Sequence, residues 1–164
     1  MPDAAGGHVS NDVFGYVQPF PAPAAYAKLM EYVTGVGVGL IRIDRKALFN
    51  FPDEALPDGD CFAFLVGDRP DYPNATYLID YCEYDPDDFN IGFPPDPKAR
   101  LKLLLDVLSN IFSLVNPDRM FVAISDSSQI ETFRKIKIHE IHEEIGHDFE
   151  IHDGPPDTLY EMVR

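Results

Sequence analysis

Residues 97–115, PKARLKLLLDVLSNIFSLV, place the strongest demand on the fold. Leu101, Leu104, Leu105, Leu108, Ile111, Phe112 and Val115 recur at helical spacing, and such a stripe has to be buried against a second layer. Leu103, Val107 and Leu114 add another stripe, so the spacing predicts a long apolar helix covered on more than one side. The run NPDR stops it, and residues 120–125, MFVAIS, read as a strongly apolar strand at the centre of a sheet.

The neighbouring segments supply the rest of a layered domain. Pro23 suits the first turn of a helix over residues 24–33, which sets Tyr26, Leu29, Met30 and Val33 on one face. Residues 38–44 read as a strand. Gly35, Gly37 and Gly39 sit on a helix-to-strand passage, the reverse of a dinucleotide-binding loop, and are set aside as phosphate ligands. CFAFLVG (61–67) and ATYLIDYCEY (75–84) are rich in aromatic and branched residues. With DRPDYPN between them they read as an antiparallel hairpin, its faces alternating as Tyr77, Ile79, Tyr81 and Leu78, Asp80, Cys82. Ser127 or Ser128 would cap a short helix, residues 137–146 read as a further helix, and DFEIH and TLYEMV as closing strands. Residues 1–22, rich in Gly, Ala and Pro, read as an irregular arm. The expected architecture is a single α+β domain over residues 23–164, with a mostly antiparallel sheet packed on the long helix.

Charge narrows the function classes. The 164 residues carry 13 bases against 28 acids, a net charge of −15. Residues 61–97 hold 8 acids and the single base Arg69, residues 98–138 hold 7 bases and 4 acids, and residues 139–164 hold 8 acids and Arg164. Phosphate neutralisation needs clustered Lys and Arg, so nucleic acid and anionic membrane surfaces are excluded as partners, whereas a basic protein would be steered inward. No apolar run reaches the roughly 20 residues of a membrane span. The first twenty residues lack a basic region followed by an apolar one, and a cytoplasmic location is expected. Cys61 and Cys82 fit that compartment as reduced, buried side chains.

Two segments concentrate candidate chemistry. IHEIHEEIGHDFEIHD brings His139, His142, Glu143 and His147 within helical reach of one another, which would offer two or three ligands to a metal ion and so a metal-dependent hydrolase. The spacing His-Glu-Ile-His is not that of the zincins, and a solvated acidic helix face explains it without a metal. No Gly-x-Ser-x-Gly elbow is present, and neither cysteine has the surroundings of a nucleophile, so no catalytic residue is assigned and no cofactor is expected. The second segment, YLIDYCEYDPDDFNIGFPPDP (77–97), sets six carboxylates among five aromatic rings. Its spacing fails as an EF-hand at Phe89 and Asn90, and Phe89, Ile91 and Phe93 are too apolar for a solvated linker. Aromatic anchors beside steering carboxylates are what an interface with a cationic protein uses. Tyr81, Glu83, Tyr84, Asp85, Asp87, Asp88, Phe89 and Phe93 are therefore the candidate partner-binding residues. The competing reading makes the tyrosines core and the aspartates ordinary loop solvation.

In general character, a small acidic α+β chain with an acidic-aromatic loop and no catalytic constellation, the sequence resembles bacterial polymorphic-toxin immunity proteins. The resemblance implies a non-enzymatic protein that blocks a cognate toxin domain, often a basic nuclease, with carboxylates and aromatics; no diagnostic motif carries residue roles across. A further alternative is a homo-oligomeric scaffold in which the basic 98–138 segment of one copy meets the acidic 61–97 segment of another.

Overall fold

The computed structural model describes residues 11–68, 77–81, 94–126 and 129–164. Its strands are β1 (Asn11–Gln18), β2 (Gly39–Arg42), β3 (Phe62–Gly67), β4 (Arg119–Asp126), β5 (Thr132–Lys137) and β6 (Thr158–Val163). They form one six-stranded sheet in the order β2-β3-β1-β4-β6-β5. Every neighbouring pair is antiparallel except β5 and β6, which run parallel. The helices are α1 (Pro23–Val36), α2 (Pro97–Val115) and α3 (Ile141–His152), with α3 crossing between β5 and β6. The domain is α+β with a mostly antiparallel sheet.

The middle of the sheet is buried on both faces. Val13 and Val17 of β1, with Met120, Val122 and Ile124 of β4, join the larger core that includes side chains from all three helices. Phe14, Tyr16, Phe121 and Ala123 point the other way, into a smaller core closed by Leu48, Phe51 and Ala55. Those residues belong to or adjoin two 3₁₀ turns, Arg45–Leu48 and Asp53–Ala55, that lie across this face. The Tyr16 hydroxyl donates to the Ala55 carbonyl at 2.7 Å and ties the cover down.

Residues 11–18 correct the expectation of an irregular arm over residues 1–22: they form the third strand of the sheet and pair with β4 over eight positions. A strand covered on both sides shows no apolar–polar alternation, and Gly15 interrupts its apolar run. That glycine is a packing requirement. A Cβ at position 15 would lie 1.9 Å from the Phe121 carbonyl oxygen, a backbone atom held by the β1–β4 ladder.

α2 is amphipathic rather than apolar all round. Pro97 opens it, the Asp96 carboxylate caps it by accepting from the Ala99 N–H at 3.1 Å, and Asn116 closes it in the left-handed conformation at φ 51°. Leu101, Leu104, Leu105, Val107, Leu108, Ile111 and Phe112 are buried, Leu103 and Leu114 only partly, while Lys98 and Lys102 are exposed. α1 ends at Gly37, whose φ of 92° lets its N–H reach the Val33 and Thr34 carbonyls.

Three further expectations are corrected. Among the described residues of 75–84, Tyr77–Ile79 form a 3₁₀ turn, and β3 pairs with β1 and β2 instead of with a hairpin partner. Leu78 and Ile79, adjacent in that turn, are both buried in the same core, where strand alternation would have sent them to opposite faces. The segment beyond residue 128 forms the edge strand β5 rather than a helix, and Ser127 and Ser128 lie outside the described residues. DFEIH continues α3 instead of forming a strand, because Ile141, Ile145 and Phe149 share one buried helical face. Cys61 is a free, buried thiol; Cys82 lies outside the described residues.

Replacing Gly15 by alanine is expected to lower the unfolding free energy by at least about 2 kcal/mol, since the clash is with backbone that cannot move aside. Gly59→Ala, where the new Cβ would stand 3.8 Å from the Gln18 amide nitrogen, is the control. Urea midpoints that fall only for G15A meet the expectation.

Candidate functional site

The site grows from a cation in the core. Arg100, one turn before Leu104 on the buried face of α2, is 0% exposed. Its guanidinium donates to the Asp80 carbonyl at 2.6 Å and to the carbonyls of Pro94 and Pro95 at 3.1 and 2.6 Å. Asp80 and Pro94 bracket residues 81–93 of the acidic-aromatic segment, so one side chain holds the chain on both sides of that stretch. Planar donors in a rigid fork suit three carbonyls converging from two directions.

Next to that clamp, Tyr81 is half-buried with its ring 5.8 Å from Phe149. Its hydroxyl donates to Glu150 at 2.9 Å, and Lys98 approaches the same carboxylate oxygen at 3.0 Å. The Tyr81 phenol is pushed up to about 12 by burial first, then by the Glu150 hydrogen bond and the negative charges of Glu150, Asp153 and Asp96. Lys98 and Tyr81 hold the Glu150 carboxyl below its ordinary value.

Tyr81 closes one end of a groove of about 450 Å³ between α2 and α3. Leu101 and Leu105, one turn apart, are its apolar part, with Lys98 and Lys102 on the same helix. The α3 wall carries His142, Gly146 and Glu150, again one turn apart, and Glu143. His142 spans the two helices, its Nε2 2.7 Å from Asp106 Oδ1. Lys102 reaches Asp106 Oδ2 at 2.9 Å. Burial works to raise the Asp106 carboxyl, but the hydrogen bonds from Lys102 and His142 outweigh it and hold the group below its ordinary value.

Of the candidate partner-binding residues, Tyr81 is the one the structure describes. Glu83, Tyr84, Asp85, Asp87, Asp88, Phe89 and Phe93 lie outside the described residues. The candidate metal ligands do not come together. His139 sits in the 3₁₀ turn Ile138–Glu140 ahead of α3, His147 is exposed and off the groove, and His142 is engaged by Asp106. Among the described residues no group of three His, Cys, Asp or Glu side chains could hold a metal ion. What the fold does unite is Tyr81 with His142 and Glu143, which the sequence had placed in separate candidate sites. Arg100, Lys98, Gly146 and Glu150 were not singled out from the sequence. The one local signal was a cation, Arg100, in register with the leucines of α2.

A second groove, of about 490 Å³, lies by Arg42, Asp44, Arg45, Asp60 and Cys61. Its two arginines are balanced by two aspartates, and Arg45 already donates to the Gly59 carbonyl at 2.5 Å. Burial pushes the Cys61 thiol up, which suits a structural rather than a reactive cysteine. No family model, curated protein or solved structure matches the chain. No helix of the described residues is long and apolar enough to cross a membrane.

Two outcomes test this arrangement. Arg100→Met leaves the three carbonyls without that donor and is expected to cost about 3 kcal/mol in urea unfolding. The Asp106 contribution follows from its lowered native value: it is fully present above the ordinary carboxyl value of 3.8 and is lost as pH falls below it. Asp106→Asn should therefore lose stability at neutral pH and show a shallower decline than the native chain between pH 4 and 2, measured by thermal unfolding.

Proposed function

We propose that this protein is a non-enzymatic, acidic binding protein that neutralises a basic protein partner, and specifically an immunity protein that blocks a cognate bacterial toxin in the cytoplasm. The observation that carries the reading is the Arg100 clamp. A fully buried guanidinium joins Asp80 to Pro94 and Pro95, the two roots of the segment that holds Glu83, Asp85, Asp87, Asp88 and the rings of Tyr84, Phe89 and Phe93. Fixed roots reduce the conformational freedom such a segment would lose on binding. The net charge of −15 favours encounter with a cationic surface, and Tyr81 places an aromatic ring at the negative end of the α2/α3 groove. Carboxylates and aromatic rings drawn from that segment would occupy a basic active site and exclude its substrate.

The test is affinity capture from the host's own proteins on the immobilised chain, with Asp85→Asn/Asp87→Asn/Asp88→Asn as the comparison bait. The native bait is expected to retain a basic protein that elutes by about 0.5 M salt, where screening cuts exposed charges off beyond a few ångström. The triple variant should associate with the purified partner at least about tenfold more slowly. Equal association rates and equal salt profiles for the two baits would overturn the assignment of these residues.

A further inference from the structure

β5 ends the sheet, and among the described residues no strand lies beyond it. One bond fixes which of its backbone groups are left over. The Thr132 N–H donates to the Asp157 carbonyl at 3.3 Å while Thr132 itself stands opposite Thr158, the pattern of a parallel ladder. Thr132, Arg134 and Ile136 therefore turn their N–H and C=O groups toward β6. Those of Phe133, Lys135 and Lys137 point out of the sheet, a row of donors and acceptors that a further strand would satisfy. The side chains of the same three residues are exposed. Phe133 is 39% exposed, its ring meeting Phe121 edge-on at 6.1 Å. Lys135 reaches Glu161 only at 3.9 Å, and none of the described carboxylates pairs with Lys137.

We propose that β5 pairs with the β5 of a second copy of this chain, antiparallel about a two-fold axis at Arg134, so that two six-stranded sheets become one. The order of charges along the strand selects that occupant. Lysines on an edge ordinarily repel a like strand. With the axis at Arg134, however, Phe133 lies opposite Lys135 of the second copy, and Lys137 opposite its Glu131, an exposed residue just ahead of the strand. Lysine beside an aromatic ring and lysine beside a carboxylate are both favourable cross-strand pairs. The same register brings outward-facing backbone to outward-facing backbone. Phe133 and Lys135 become hydrogen-bonded pairs, with about four N–H···O=C bonds in all. Moving the axis to Lys135 sets that lysine against itself, and moving it to Phe133 sets Lys137 against Gln129, beyond the end of the strand. Arg134 does face its own copy, but on the α3 side, where Asp148 and Glu144 already hold its guanidinium. The opposite edge, β2, offers four residues and no such pattern. The pairing uses none of residues 82–93, so it stands independently of the basic-partner reading.

The test is sedimentation equilibrium of the full chain, from about 1 μM to about 0.5 mM, at about 0.15 M salt, where screening confines each copy's net charge to about 8 Å. A dimer that grows with concentration is expected. Amide exchange places the contact: Phe133 and Lys135 gain protection as the dimer fills, whereas Arg134 and Ile136, bonded to β6, are protected in the monomer as well. Two variants test the register. Phe133→Lys sets like charges opposite each other at both symmetric pairs, and Phe133→Glu sets opposite charges there, while both lose the same ring packing on Phe121. F133E is expected to dimerise at least about tenfold more tightly than F133K. A chain that stays monomeric throughout, protection that appears at β2 or elsewhere instead, or equal dimerisation of the two variants would overturn the proposal. None of these results bears on the comparison of the Asp85, Asp87 and Asp88 variant with the native bait.

Discussion

Burial of β1 and β4 on both faces is the constraint from which the rest of the architecture follows. The two strands pair over eight positions, and their apolar residues, from Val13 to Val17 and from Met120 to Ile124, meet a core on one side or the other. A sheet of this kind needs two covers. Three helices supply one, and residues 44–60, fastened by the Tyr16 hydroxyl, supply the other. Close approach at Gly15 is the local condition for bringing the strands together, and it explains a glycine in the strand that could least be spared. The loop over the second face is thus part of the fold's stability, not a tolerant connection.

Two cations then orient the helices that form the groove. Arg100 binds α2 to the turn at Tyr77–Ile79 through the Asp80 carbonyl and to the chain entering α2 through Pro94 and Pro95. Arg134 does the equivalent for α3. It points inward from the edge strand β5 and meets Asp148, and also Glu144, both on α3. Asp148 accepts in turn from the buried Tyr160 hydroxyl at 2.7 Å, which joins β5, α3 and β6 in one network. Burial tends to lower the Arg134 guanidinium, but its hydrogen bonds to the two carboxylates outweigh that and push it up; burial and Asp148 raise the Tyr160 phenol. Removing one member of such a network leaves the others buried and unmatched, which is why its geometry is rigid.

What could be read from the sequence follows from which signals are local. α1, α2 and β6 declare themselves through periodicity, and β4 through a dense apolar run between turn residues. β1 does not, because double burial removes alternation and Gly15 has meaning only against the Phe121 carbonyl. β5 was hidden by Arg134: an inward-facing charge breaks the strand pattern unless the carboxylates of α3, ten and fourteen residues on, are known to receive it. The strand expected at 75–84 had the right composition, yet Leu78 and Ile79 both turn into the core and Arg100 takes the next carbonyl. The groove lay furthest out of reach, since Tyr81 and Glu150 are 69 positions apart. The histidine spacing misled for a related reason. His139 precedes the α-helix on which the spacing would have mattered.

The acidic excess also divides once its contacts are known. Asp44 and Asp96 cap helical turns, Asp106 joins α2 to α3, and Glu144 and Asp148 hold Arg134. Asp157 accepts from the Ser125 hydroxyl and the Asp126 N–H where β4 ends. These carboxylates are committed to the fold, and their charge is partly answered by the groups they bind. Net charge therefore overstates what a partner would meet. The proposed reading assigns the steering of a cationic protein to the carboxylates of 83–88, while Glu150, held by Lys98 and Tyr81, belongs with the committed ones.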